Sequence, residues 1–258
     1  MKYTENALDL ENRIRAHKLF SRATLESVLK ETLNDLDEDP VVLDLGCGSG
    51  NYYELFTRKT KHYIGIDVSK DLLMEFAKRY SDKKILIRAS MDGMLEFAEG
   101  TFNAIYSIYS IYYTEKPRDL VSSLHSMLAA NGQFVVFGPG ESAHAPEISE
   151  FIESVPGAGM NDRAGSAKNK NVRIEKFHRE LIPLIRNKFI SARTSEIDTS
   201  LEFPDSAEWA KYVVSTPEVR ESLSMMEIGD LLKAARQFSE ETDCRMISKS
   251  MLCLLARK

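Results

Sequence analysis

Gly46, Gly48 and Gly50 stand at two-residue spacing in VVLDLGCGSGNYYE, directly after the apolar run Val41 to Leu45, with Asp44 just ahead and Cys47 between them. Glycines in such a place let the backbone bend tightly and approach a ligand closely. Asp67 ends the next apolar run, in HYIGIDVSKDLL, 21 residues after Gly46. A carboxylate there can accept hydrogen bonds from both hydroxyls of a ribose. The two features together point to an adenosine-containing ligand. A dinucleotide fingerprint needs Gly or Ala in the last place of G-x-G-x-x-G; counted from Gly46 that place holds Asn51, so the pyrophosphate pattern is broken.

The elements that must hold these residues alternate along the chain. Leu25, Val28, Leu29, Leu33 and Leu36 predict a helix that ends before Pro40. Apolar runs at 41–45, 62–66, 85–87, 102–107 and 134–137 predict strands. Helices are expected over Asp71 to Arg79, behind Ser69 as N-cap, and around Leu120 to Leu128, ended by Asn131-Gly132. Strands and helices alternating through short connections argue for a parallel sheet with right-handed crossovers. Further on, the patterns predict a helix over Ile148 to Val155, a Gly- and Asn-rich loop, a helix over Phe177 to Asn187, and a strand within Ile190 to Phe203. Helices from Ser206 and Met226 and a closing run Arg245 to Ala256 follow, the end reading as a two-stranded antiparallel addition to the sheet.

DLGCGSG with Asp67 closely resembles the class I S-adenosylmethionine-dependent methyltransferases, over about residues 40–140. The resemblance implies an α/β fold with a doubly wound, mostly parallel, seven-stranded Rossmann-like sheet whose last strand is antiparallel. Residues 1–36 would form a helical lead, 37–140 the cofactor-binding core, 141–240 a cover shaping an acceptor pocket, and 241–258 the final strand. ASMDGMLEFAEGTFNAIYS is similar to the family's adenine segment, with Met91 and Asp92 as the candidates. It departs from the usual pattern at Met91 for aspartate, Glu96 for proline and Asn103 for aspartate. The cofactor implied is S-adenosyl-L-methionine, with S-adenosyl-L-homocysteine as product. The residues implied to hold it are Asp44, Gly46, Cys47, Gly48, Gly50, Asp67, Val68, Met91, Asp92 and Ser107, Cys47 through its backbone.

Methyl transfer from a sulfonium needs a nucleophile held in line with water excluded, so positioning should dominate the rate. Tyr109, Tyr112 and Tyr113, after the fourth strand, could wall the transfer site, face the cation or orient an acceptor through a hydroxyl. A general base is needed only for an acceptor that must lose a proton; His17, His144 and His178 are candidates, His144 first because it follows a strand's carboxyl end. Tyr113 and His144 are thus the catalytic expectation, and Tyr109, Tyr112, His178 and Arg163 the substrate-binding one. Residues 163–179 carry six basic side chains against the single acid Glu175, which suggests either a lid over an anionic acceptor or a solvated face.

With 34 Lys plus Arg against 39 Asp plus Glu, the net charge of −5 offers no global field for nucleic acid or an anionic membrane. Ser107 to Ser110 lacks the Pro-Pro-Tyr-type motif of nucleic-acid amino methyltransferases. The expectation is therefore transfer to oxygen or nitrogen of a small molecule, with no nucleic-acid or membrane partner. No apolar run approaches the ~20 residues of a membrane span, and acidic residues occupy the start of the chain, so a cytoplasmic location is expected. Cys47, Cys244 and Cys253 form no C-x-x-C pair and signal neither disulfides nor a metal site. The rival readings are a catalytically idle binder of the nucleoside and an NAD-dependent oxidoreductase.

Overall fold

A computed structural model describes residues 7–81, 84–93, 97–140, 145–156 and 172–258. They group into two compact units. The sheet unit comprises Leu25–Pro139, Arg173–Glu196 and Met251–Lys258; the second unit comprises the described parts of 1–24, 140–172 and 197–250. Helix 25–34 and segment 173–196, which the sequence reading placed in lead and cover, thus belong to the sheet unit.

Seven strands form the main sheet: β1 (Val41–Leu45), β2 (His62–Asp67), β3 (Ile85–Arg88), β4 (Phe102–Ile108), β5 (Leu128–Pro139), β6 (Ser191–Asp198) and β9 (Ser250–Arg257), in the order β3-β2-β1-β4-β5-β9-β6. β1 to β5 pair in parallel, and β9 runs antiparallel to β5. This is the expected doubly wound sheet with an antiparallel closing strand. Strand order reverses direction at β1, where β2 leads one way and β4 the other, so a crevice opens beyond the carboxyl ends of β1 and β4. Leu43, Leu45, Ile105, Leu124, Phe134, Val136 and Leu254 are fully buried in one core cluster, each removing about 1.5–3 kcal/mol of apolar side chain from water. Rings of Tyr53, Phe56, Tyr63, Phe76 and Tyr106 meet edge-on or tilted at 4.8–6.1 Å and form a second buried cluster in the same unit.

Local signals explain most boundaries. Ser69 Oγ accepts the Leu72 N–H at 3.3 Å and starts α4 (Lys70–Arg79), as its type and place predict. α5 (Pro117–Met127) ends sooner than expected: Leu128 is already extended, and Asn131, with φ of 63°, lies inside β5 at an irregularity of the β4–β5 register. The Asn-Gly pair therefore marks a kink within a strand rather than a helix end. Ahead of the helix Ile182–Lys188 the chain makes a π turn, Phe177–Leu181, next to Pro183, which has no N–H to continue a regular ladder.

In the second unit, Trp209 stacks on Phe238 at 5.8 Å and meets Phe151 edge-on, with Val213, Leu231 and Ala235 buried beside them. Helices α1 (Ala7–Phe20), Pro146–Ser154, Ser206–Val214, Pro217–Ser222 and Ile228–Thr242 and the small ribbon of β7 (Leu201–Glu202) with β8 (Met246–Ile247) enclose that core. Among the described residues no helix is long and apolar enough to cross a membrane.

Candidate functional site

The loop after β1 is built on three left-handed glycines, with φ of 79° at Gly46, 55° at Gly48 and 73° at Gly50. Two of them also allow close packing. A Cβ at Gly46 would lie 2.3 Å from Ser110 Cβ, and one at Gly50 would lie 2.5 Å from the Phe76 ring. Gly48 has open space instead, its nearest neighbour for a Cβ being Leu72 at 3.9 Å, so the loop's middle is open to close approach. Asp67, at the end of β2, accepts the Gly48 N–H at 2.9 Å and the Ser69 N–H at 2.8 Å. The carboxylate thereby locks the glycine loop to the second strand end. Gly46 and Cys47 also donate their backbone N–H groups to the Ile66 carbonyl, at 2.7 and 3.0 Å.

Asp44 lies beneath this loop, fully enclosed. Its Oδ2 accepts the Tyr63 hydroxyl at 2.7 Å, while Oδ1 is buried with no hydrogen-bond partner among the described residues. Burial, with the nearby charge of Asp67, pushes the carboxyl up to about 7 against the opposing Tyr63 bond. An enclosed oxygen without a donor suits a ligand that brings one, such as an ammonium. Cys47 is buried beside the same two carboxylates; burial and their charges push its thiol far up, so it stays protonated and is no nucleophile. This agrees with a backbone role at that position.

Beyond β4 the chain turns through Tyr109, whose φ of 52° is unusual for a non-glycine residue. Ser107 and Ser110 are buried; Ser107 Oγ lies 2.6 Å from Ser110 Oγ, and Ser110 donates to the Leu45 carbonyl. Ser107 thus ties the ends of β1 and β4 together through Ser110. Tyr112 packs edge-on against Phe177 at 5.9 Å, and burial raises its hydroxyl pKa well above the ordinary value. Tyr109 and Tyr113 are exposed, and the Arg173 guanidinium lies 4.7 Å from the Tyr113 ring centroid. Lys176 donates to the Thr114 carbonyl, so the described part of the basic segment is bound to this turn. His178 Nε2 lies 2.9 Å from the Pro139 carbonyl; a carbonyl only accepts, so Nε2 carries a hydrogen and donates it.

The remaining expected residues divide. Val68 is two-thirds exposed beside Asp67, and Met91 is partly buried against the core. Asp92 accepts from the Thr114 hydroxyl and from the N–H groups of Glu115 (2.8 Å) and Lys116 (3.2 Å), so its carboxylate holds the turn into α5. His144 and Arg163 lie outside the described residues. Sequence reasoning missed Tyr63 and Ser110. Tyr63 carried no local signal: it meets Asp44 because the β1–β2 register sets Gly65 opposite Asp44, and Tyr63 shares that face two residues earlier. A cavity of about 570 Å³ lies elsewhere, at the β9–β6 edge, lined by Asp35, Ser191, Ala192, Arg193, Leu255 and Arg257; none of these belongs to the crevice.

Residues 43–136 match the family model of a methyltransferase domain. Over that stretch, 94 of its 258 residues, the chain is similar to a methyltransferase domain. Its fold is similar to that of the YcgJ protein from Bacillus subtilis, with a TM-score of 0.58 at 14% identity, covering 90% of this chain and 97% of that one. An 18S rRNA (guanine-N(7))-methyltransferase of Bos taurus is 29% identical over 130 residues, 46% of this chain and 44% of the relative. A tRNA U34 carboxymethyltransferase of Psychromonas ingrahamii is 28% identical over 110 residues, 40% of this chain and 34% of the relative. The chain thus spans less than half the length of either.

These relatives overturn the expectation of no nucleic-acid partner, because the domain recurs in proteins named for acting on rRNA and tRNA. The charge argument failed for a physical reason. A net −5 describes the far field, whereas an RNA contact depends on where a few cations stand locally.

Proposed function

We propose that this protein is an S-adenosylmethionine-dependent methyltransferase that transfers a methyl group to oxygen or nitrogen of a small-molecule acceptor. The observation that carries the cofactor half of the reading is the Gly48 to Asp67 bond, which joins a left-handed glycine loop to the acidic strand end beside the sheet's switch point. The residues present fit the cofactor: Asp67 retains acceptor sites for ribose hydroxyls, Gly48 offers open backbone, and the buried Oδ1 of Asp44 offers an acceptor to an ammonium. When bound, S-adenosylmethionine supplies an electrophilic methyl on a sulfonium. The chain's task is then to orient and to exclude water. Tyr109 and Tyr113 wall the exposed side of the crevice, Tyr112 and Phe177 give it an apolar floor, and the Tyr113 hydroxyl orients the acceptor. Arg173 keeps the Tyr113 ring in place.

A second reading, favoured by the rRNA and tRNA methyltransferase relatives, is a nucleobase acceptor in RNA. A cytoplasmic location belongs to either reading. Calorimetry with S-adenosylhomocysteine and with NAD tests the cofactor; binding of NAD alone would overturn the proposal. Transfer of radiolabelled methyl into a metabolite extract, against total tRNA and rRNA, tests the acceptor. Label in RNA alone would replace the small-molecule reading, and cofactor binding with no transfer to either pool would leave an idle binder.

A further inference from the structure

Helix α1 turns ionisable side chains toward the second unit's interior. Asp9, Arg13 and His17 recur every four residues on one stripe. Asp9 accepts two bonds from Arg220, at 2.9 and 2.8 Å; Arg13 donates to the Ser215 carbonyl; His17 Nε2 lies 3.5 Å from the Tyr212 hydroxyl. Covering such groups is costly unless each finds a partner. Asp9 and Arg13 have theirs.

Lys249 is different. Its backbone is pinned, the N–H donating to Ser200 Oγ at 3.2 Å and the carbonyl accepting the Thr199 N–H at 3.0 Å, so the side chain starts from a fixed point. The half-buried ammonium donates to the Tyr212 hydroxyl at 3.0 Å and lies 5.7 Å from that ring's centroid. Among the described residues no carboxylate stands within 4.0 Å of it. Burial works against its charge, but Tyr212 and Glu218 hold its pKa above the ordinary value, so it remains a cation. Among the described residues one of its three N–H groups is matched, which leaves a partly desolvated positive charge with two donors unmatched there. Tyr212, buried and accepting from Lys249, is free to turn its own proton toward His17 or a ligand. His17 adds no charge of its own: burial, Lys249 and Arg13 push it down to about 3 and keep it neutral.

We propose that Lys249 and Tyr212, with Arg13 adding positive charge, form an oxyanion site in the second unit that takes the carboxylate or phosphate of a small ligand. Lys249 is the direct donor and Tyr212 fixes its direction. Cofactor binding is a property of the sheet unit, so this inference stands apart from the methyl-transfer reading.

The test is calorimetric titration of the full chain with inorganic phosphate and, separately, with acetate, in wild type, Lys249→Met, Lys249→Arg and Tyr212→Phe. At least one anion is expected to bind wild type, with affinity falling about tenfold or more in Lys249→Met and recovering in Lys249→Arg. The anion that responds identifies the group as phosphate or carboxylate. S-adenosylhomocysteine titrated in parallel should bind all four proteins alike, which separates failure here from failure of the cofactor reading. Should Lys249→Met not fold, Tyr212→Phe carries the test, with an expected loss of about threefold or more. Equal anion binding in wild type and folded variants, or none in wild type, overturns the proposal. So does a short RNA oligomer whose binding needs Lys249 while both small anions fail.

Discussion

Replacing Tyr63 by Phe removes one oxygen and leaves the Asp44 carboxylate with no hydrogen bond on either atom. The magnitude follows from proton affinity. In the fold Asp44 titrates near 7 because burial, above all, disfavours its charge. In the open chain it titrates in the ordinary carboxylate range, and each tenfold change in proton affinity is worth about 1.4 kcal/mol. Charging this group inside the fold therefore costs about 4 kcal/mol relative to the open chain. Its folded pKa is raised, so the associated stability is fully present below the open-chain value and is lost as pH rises through about 7. Without the Tyr63 hydroxyl the charged form loses a bond worth about 1.5–3 kcal/mol, and the folded pKa climbs further. Urea unfolding of wild type and Tyr63→Phe should differ by roughly 1 kcal/mol near pH 5, where Asp44 is neutral in both, and by about 2–3 kcal/mol near pH 9. The same difference at both pH values would refute the reasoning, because it would mean that the Tyr63 bond does not act on the charged carboxylate.

Asp67→Ala should weaken S-adenosylhomocysteine binding by about 1.5–3 kcal/mol in calorimetry, through loss of charge-assisted bonds and release of the Gly48 loop; unchanged affinity would remove it from the site. Gly50→Ala meets both a left-handed φ and the Phe76 ring, so its melting temperature should fall by the equivalent of about 2 kcal/mol or more, with partial recovery in a Phe76→Leu background. His17 is neutral in the fold but takes a proton readily once unfolded, so its contribution holds above its ordinary value and is lost as pH falls toward about 3. With solvent screening discounted this amounts to roughly 2–4 kcal/mol, and His17→Gln should move the acid-unfolding midpoint, followed by circular dichroism, to lower pH.

What could be read in the sequence was local. The left-handed glycines after Val41 to Leu45, the acid closing the next strand with its bond to the Ser69 N–H, and the Ser69 cap are set within a few residues of themselves, and each stands where its pattern implied. Features that depend on long-range pairing escaped. The Tyr63 bond to Asp44 needs the β1–β2 register, and the place of 173–196 in the sheet unit needs Phe177 to press against Gly138, where a Cβ would come within 2.5 Å. The inward stripe of α1 escaped for another reason. Its buried face carries Asp9, Arg13 and His17, so it lacks the apolar periodicity by which a packed helix is ordinarily found.

The contact between Gly46 and Ser110 constrains the order in which these two loops could change by descent. Because the Ser110 Cβ itself fills the space, shortening serine to alanine makes no room for a side chain at 46; only glycine at 110 does. A lineage departing from Gly46 would first have to give up the hydroxyl that links Leu45 to Ser107, passing through an ancestor whose two strand ends were untied.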